Sequence, residues 1–135
     1  MPAWANEMLR TARVGRLGLL DLDDRPRVLP VTFALVGGNL YSAIDRKPKR
    51  SEPARLRYLE RRPEAALTVD HYEDDWTALA WVQVLGRVEI LAPGDEPAAL
   101  DALAAKYSQY RADSPPGPVL KLVPERTLCW RADEG

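Results

Sequence analysis

LTVDHYEDDWTALAWVQVLGRVEIL, residues 67–91, decides the fold. Within 77–91, Ala80, Val82, Val84, Val88 and Ile90 share one parity, while Gln83, Arg87 and Glu89 share the other. A period of two puts the apolar set on one face of an extended chain, so this stretch is expected to be a long, half-buried strand. Gly86 falls in its middle without a side chain, the mark of a bulge or bend. AALTVDHY (65–72) is expected to be the strand before it, and the EDD triplet a hairpin-like turn between them.

Upstream, VGRLGLLDL (14–22) is an apolar strand that turns at Asp23, Asp24, Arg25 and Pro26. RVLPVTFALV (27–36) puts Val31, Phe33 and Leu35 on one face and Thr32 and Ala34 on the other. Pro30 has no N–H to donate, so this strand belongs at an edge or is bulged there. Gly37, Gly38 and Asn39 supply positive φ for a tight hairpin into LYSAID (40–45). Ser51 is placed as the cap of a short helix with Glu52 and Pro53 in its first turn, Leu56 and Leu59 on its apolar face, and Pro63 at its end. Downstream, Asp95 is placed as the cap of a second helix, in which Leu100, Leu103, Ala104 and Tyr107 recur at helical spacing. After the breaker SPPGP (114–118), VLKLV and TLCW form one or two closing strands. Six or seven strands and two helices in this order argue against βαβ units and for a mostly β, mainly antiparallel barrel with appended helices. A length of 135 residues fits one domain, 1–135.

Composition narrows the function. The lone Cys129 excludes an intramolecular disulfide framework and a multi-cysteine metal site, and fits a reducing compartment. Glu7 and Arg10 precede any apolar run, unlike a secretory leader, and no run approaches the ~18 apolar residues of a membrane span, so the expectation is a cytoplasmic protein. GxGxxG, GxxxxGK[ST] and GxSxG are all missing. His71, flanked by Asp70, Glu73, Asp74 and Asp75, is the one histidine. It reads as part of a solvated acidic turn, since nothing adds the further nitrogen or sulfur ligands a transition metal favours. No metal site is expected and no catalytic side chain is singled out.

Charge is uneven. Residues 46–62 carry eight basic side chains against Glu52 and Glu60, a local +6 that leaves −7 for the rest of a chain with net charge −1. Such a run is either a solvated helix face or an anion site. With Tyr58 as its one interleaved aromatic and an acidic remainder, it is a poor nucleic-acid footprint. Lys47 and Lys49 flank Pro48 where a strand leaves for a helix N-terminus, a place where fixed φ, free N–H groups and the helix dipole all favour a phosphate. Trp76 and Trp81 bracket the start of the long strand, as walls for a flat ligand or as core or interface packing.

These residues carry a resemblance that runs over nearly the whole chain. RPRVLPVTFAL (25–35), AIDRKPKR (43–50), LTVDHYEDDWTALAWVQVLGRV (67–88) and LAAKYSQYRADSPPGPVLKL (103–122) resemble, in order and spacing, the PPOX-class F420-dependent enzymes. That family belongs to the pyridoxamine 5'-phosphate oxidase-like split β-barrels, which bind flavins and deazaflavins. The resemblance implies a homodimer with two cofactor sites at the subunit interface. It assigns the cofactor phosphate to Lys47 and Lys49, with Arg50 beside them. It sets Ser42 close to the cofactor, Pro30, Val31, Thr32 and Phe33 along its ring, and Trp76 near it. The implied activity is hydride transfer from reduced coenzyme F420 to a small or medium planar acceptor. FMN-dependent oxidase or reductase chemistry and cofactor carriage without turnover are the alternatives.

Overall fold

The computed structural model describes residues 1–44 and 53–134. The chain runs α1 (Ala3–Thr11), β1 (Gly15–Leu20), β2 (Pro26–Val31), β3 (Ala34–Val36), β4 (Asn39–Ala43), α2 (Ala54–Arg61), β5 (Glu64–His71), β6 (Ala80–Leu91), α3 (Pro97–Lys106), α4 (Ser108–Ala112) and β7 (Val119–Arg131). Short 3₁₀ turns occupy Trp76–Ala78 and Ala132–Glu134. Among the described residues no helix is long and apolar enough to cross a membrane.

All seven strands form one sheet in the order β2-β1-β5-β6-β7-β4-β3, with every pairing antiparallel. The two edge strands, β2 and β3, are consecutive in sequence and joined by Thr32 and Phe33 alone. The sheet is therefore curled until its edges nearly meet, which makes a barrel split along one seam. Its interior is filled by the alternating positions of the strands, with Val69, Val82, Val84 and Phe33 almost fully buried. Leu9 of α1 and Leu59 of α2 are equally buried and belong to the same apolar cluster.

Among the described residues, four helices stand where two are expected. In α1, Ala5 and Leu9 are buried one turn apart, with Trp4, Met8 and Ala12 packed beside them. That is a helical stripe, in a stretch for which the sequence reading predicts no element. In α2, Leu56 and Leu59 are buried as expected, but Pro53 stands ahead of the first turn and Ser51 and Glu52 lie outside the described residues. Asp95 does not cap α3. Its carboxylate accepts from Ala92 N–H at 3.0 Å inside the preceding turn, and Glu96 takes the cap position ahead of Pro97. The hairpin has the expected positive φ at Gly37 (56°) and Gly38 (84°) but not at Asn39, which is already extended as the first residue of β4.

Gly86 is the bulge. Pairing of β6 with β7 runs in register from Ala80 with Arg131 to Leu85 with Arg126, then resumes at Gly86 with Pro124, leaving Glu125 as the extra residue. Pro124 is tolerated inside a long strand because it falls at this interruption of the ladder. A Cβ at position 86 would stand 2.0 Å from the Val123 carbonyl oxygen, so a side chain there forces two backbones apart. Gly86→Ala is expected to lower the urea midpoint, with a cost of about 1–3 kcal/mol or more. Gly94→Ala, where no atom lies within 4 Å of the added Cβ, should leave the midpoint nearly unchanged.

Candidate functional site

Segment 30–35 forms the seam, and depressions follow one another along it. The first, about 240 Å³, is lined by Val14, Pro30, Val31, Thr32, Ser42, Ala43 and Arg55. Ser42 is the one buried polar residue among the described residues, and β4 brings it here by pairing with Leu120 of β7. The second, about 460 Å³, shares Thr32 and is walled by Tyr107, Tyr110 and the 113–116 turn with Pro115 and Pro116. Together they have the size and the mixed apolar and polar lining of a small-molecule site.

Four of the expected residues thus converge: Pro30, Val31, Thr32 and Ser42. Pro30 is on an edge strand, as its missing N–H requires. Phe33 does not line this depression; its ring is fully buried in the barrel. Trp76 is elsewhere on this chain, 67% exposed, with its indole N–H reaching Tyr72 Oη at 3.4 Å. Lys47, Lys49 and Arg50 lie outside the described residues, which stop at Ile44 and resume at Pro53.

The seam exposes backbone groups that no neighbouring strand can pair, and the end of α3 covers them. Phe33 N–H donates to Tyr107 Oη at 3.2 Å, and Tyr107 O–H donates to the Arg13 carbonyl at 2.9 Å. Lys106 Nζ donates to the Phe33 carbonyl at 2.9 Å and sits 4.0 Å from the Phe33 ring centroid. Thr32 Oγ1 and Tyr110 Oη share a hydrogen bond of 2.7 Å. Burial pushes the Tyr107 phenol up from its ordinary value. Burial, with Arg13 and Arg10 adding repulsion, pulls the Lys106 ammonium down to about 8. None of Lys106, Tyr110 or Arg55 is singled out from the sequence, and Tyr107 is read there only as part of a helix's apolar face. The available signal was KYSQY (106–110), two tyrosines and a lysine within five residues at a helix end.

His71 and Tyr72 stay away from the seam depressions. His71 Nε2 lies 2.5 Å from Glu73 Oε2, both well exposed, and Tyr72 is 65% exposed. Among the described residues no three His, Cys, Asp or Glu side chains converge as metal ligands would.

Comparison with known proteins agrees with this architecture. A family model described as pyridoxamine 5'-phosphate oxidase matches residues 3–127. No curated protein is significantly similar to the sequence. Among solved structures, a conserved hypothetical protein of Mycobacterium tuberculosis superposes with a TM-score of 0.77 at 18% identity, over 98% of this chain and 86% of that one. A protein described as an F420 reductase gives 0.72 at 20% identity, over 95% and 98%. An FAD-binding protein of Mesorhizobium loti gives 0.69 at 20%, over 96% and 94%. At these identities the likeness is one of fold.

The Lys106 environment has a pH signature. Its folded value, about 8, lies below its ordinary 10.5, so between these limits the unfolded chain holds more protons and stability rises with pH. The cost of charging Lys106 is fully present below pH 8. Glu7, ion-paired with Arg10, stays ionised and holds the Arg10 guanidinium cationic, and Tyr107 ionises later. The melting temperature of the wild type, less that of Lys106→Met, should therefore climb from about pH 8 towards pH 10. Thermal melts giving a constant difference would remove Lys106 from this environment.

Proposed function

Since the chain belongs to the pyridoxamine 5'-phosphate oxidase family, within the flavin- and deazaflavin-binding oxidoreductases, we propose that it transfers a hydride between coenzyme F420 and a small or medium planar acceptor. The observation that carries this reading is the convergence of Pro30, Val31, Thr32 and Ser42 on one depression. A bound deazaflavin would supply the hydride chemistry, so the protein's task is to bind, orient and exclude water. Lys47 and Lys49, with Arg50, hold the phosphate by charge-assisted hydrogen bonds. Segment 30–33 borders the ring, Phe33 through its backbone. Ser42 offers a hydroxyl. The adjoining depression beside Tyr110 and Pro115 takes the acceptor.

Trp76 reaches the site from the second subunit of a homodimer. Val28, Trp76, Trp81 and Trp130 are exposed on one chain, at 69, 67, 37 and 39%, which is the apolar surface a partner would cover. Trp81 and Trp130 face each other across β6 and β7, so they present one patch. Carriage without turnover is the second reading. It is favoured by the first depression, whose described lining of Val, Pro, Thr, Ser, Ala and Arg holds no carboxylate or imidazole; Asp113 borders the second.

The test is to mix the protein with F420, FMN or FAD, desalt, and record absorbance and fluorescence. Retained deazaflavin is expected; retained FMN or FAD instead would reassign the cofactor. Lys49→Ala should weaken deazaflavin binding about ten-fold or more, and Lys47→Ala less, from bonds contributing roughly 1.5–3 kcal/mol each. Both losses should shrink at high salt. Tight binding with no turnover on quinone, nitroaromatic and tetrapyrrole-like acceptors would favour the carrier.

Sedimentation at micromolar concentration should give twice the 15.1 kDa chain mass. Trp76→Ala should lower hydride-transfer rate while leaving the melting temperature near that of wild type. A monomer would contradict the shared site.

A further inference from the structure

Beyond the second depression, the seam borders a third, about 410 Å³, which the cofactor reading does not use. It is walled by Arg10 and Arg13 at the end of α1, by Ala34 and Leu35 of β3, and by Ala102 and Lys106 of α3. No acidic side chain lines it. Elsewhere several described cations are matched: Arg61 and Arg62 with Asp24, Arg87 with Glu64, Lys121 with Glu96 and Arg131 with Asp133. Arg10 is matched by Glu7. Among the described residues, Arg13 and Lys106 have no carboxylate partner.

Both are nevertheless fixed in place. The Arg13 guanidinium carbon lies 4.7 Å from the Tyr107 ring centroid. Lys106 is held over the Phe33 ring and by the Phe33 carbonyl, which uses one of its three N–H donors and leaves two. A cation at a helix C-terminus is favoured by the dipole, and that accounts for Arg10 and Lys106 taken singly. It does not account for Arg13, which lies beyond α1, or for the meeting of unmatched cations from two helices at one concavity. Their mutual repulsion is what an anion would offset, and positioned Arg and Lys donors around an apolar floor are the usual means of holding one.

We propose that this depression binds an oxyanion, the carboxylate or phosphate of a small-molecule ligand, between Arg13 and Lys106, at a site distinct from the one served by the basic run 46–50. The site does not depend on the cofactor reading, because it is built from the seam and the helix ends alone.

Competitive acetylation of the intact protein across a pH series, read by peptide mass, tests it. Without added anion Lys106 should half-react near pH 8, with Lys121, paired to Glu96, as the internal reference. Millimolar phosphate or glutarate should raise the Lys106 midpoint by about one unit and slow its acetylation about ten-fold at neutral pH, while sodium chloride of equal ionic strength does not. A response to phosphate alone or to glutarate alone assigns the ligand's acidic group. Arg13→Gln should weaken the response about ten-fold, as one charge-assisted contact is lost. Arg10→Gln, an exposed position, gives a smaller loss and serves if Arg13→Gln does not fold. A midpoint that moves equally in chloride, or variants that respond like the wild type, would overturn the proposal.

Discussion

Two residues constrain this molecule more than any other feature. Seven strands laid flat would separate β2 from β3 by about 29 Å at the usual ~4.8 Å strand spacing. Thr32 and Phe33 are all that joins those edges, and the three Cα–Cα steps from Val31 to Ala34 cannot span more than about 11 Å. A flat sheet is thus excluded by chain length, and curling is the solution. The ladder between β6 and β7, broken at Gly86, supplies a bend in the middle strands. Phe33 is turned inward and becomes one of the most buried side chains in the barrel.

The same link explains why the candidate site lies at the seam. Where the edges fail to pair, backbone N–H and C=O groups need other partners, since leaving them bare inside a fold costs about 1–3 kcal/mol each. Tyr107 and Lys106 provide them for Phe33. A side chain recruited to satisfy backbone is also a side chain held still beside a cavity.

Much of the fold was legible because parity is a strong signal. The alternation in 80–90 and the expected break at Gly86 follow from sterics that operate within a few residues. Pro30 announced an edge. What escaped notice were features without local alternation: α1, whose stripe of Ala5 and Leu9 is short, and α4, five residues long. Asp95 misled because a carboxylate ahead of a proline-started helix can equally close the turn before it. Of the site, the strand residues 30–32 and Ser42 were found through a resemblance rather than through chemistry. Arg55, Lys106 and Tyr110 come from elements distant in sequence, and nothing within a short window says that they meet.

The edges have a further consequence. An open strand edge is a template on which another chain can add a strand, and proteins protect such edges by shortness, proline or closure. Here β2 carries Pro26 and Pro30, neither of which can donate to an incoming strand, and β3 is three residues long. Lengthening of the sheet from one molecule into the next is therefore blocked at both ends. Association is left to the broad faces, where side chains rather than peptide groups choose the neighbour, and a chain rich in β-structure is spared the route that leads from a folded sheet to a fibre.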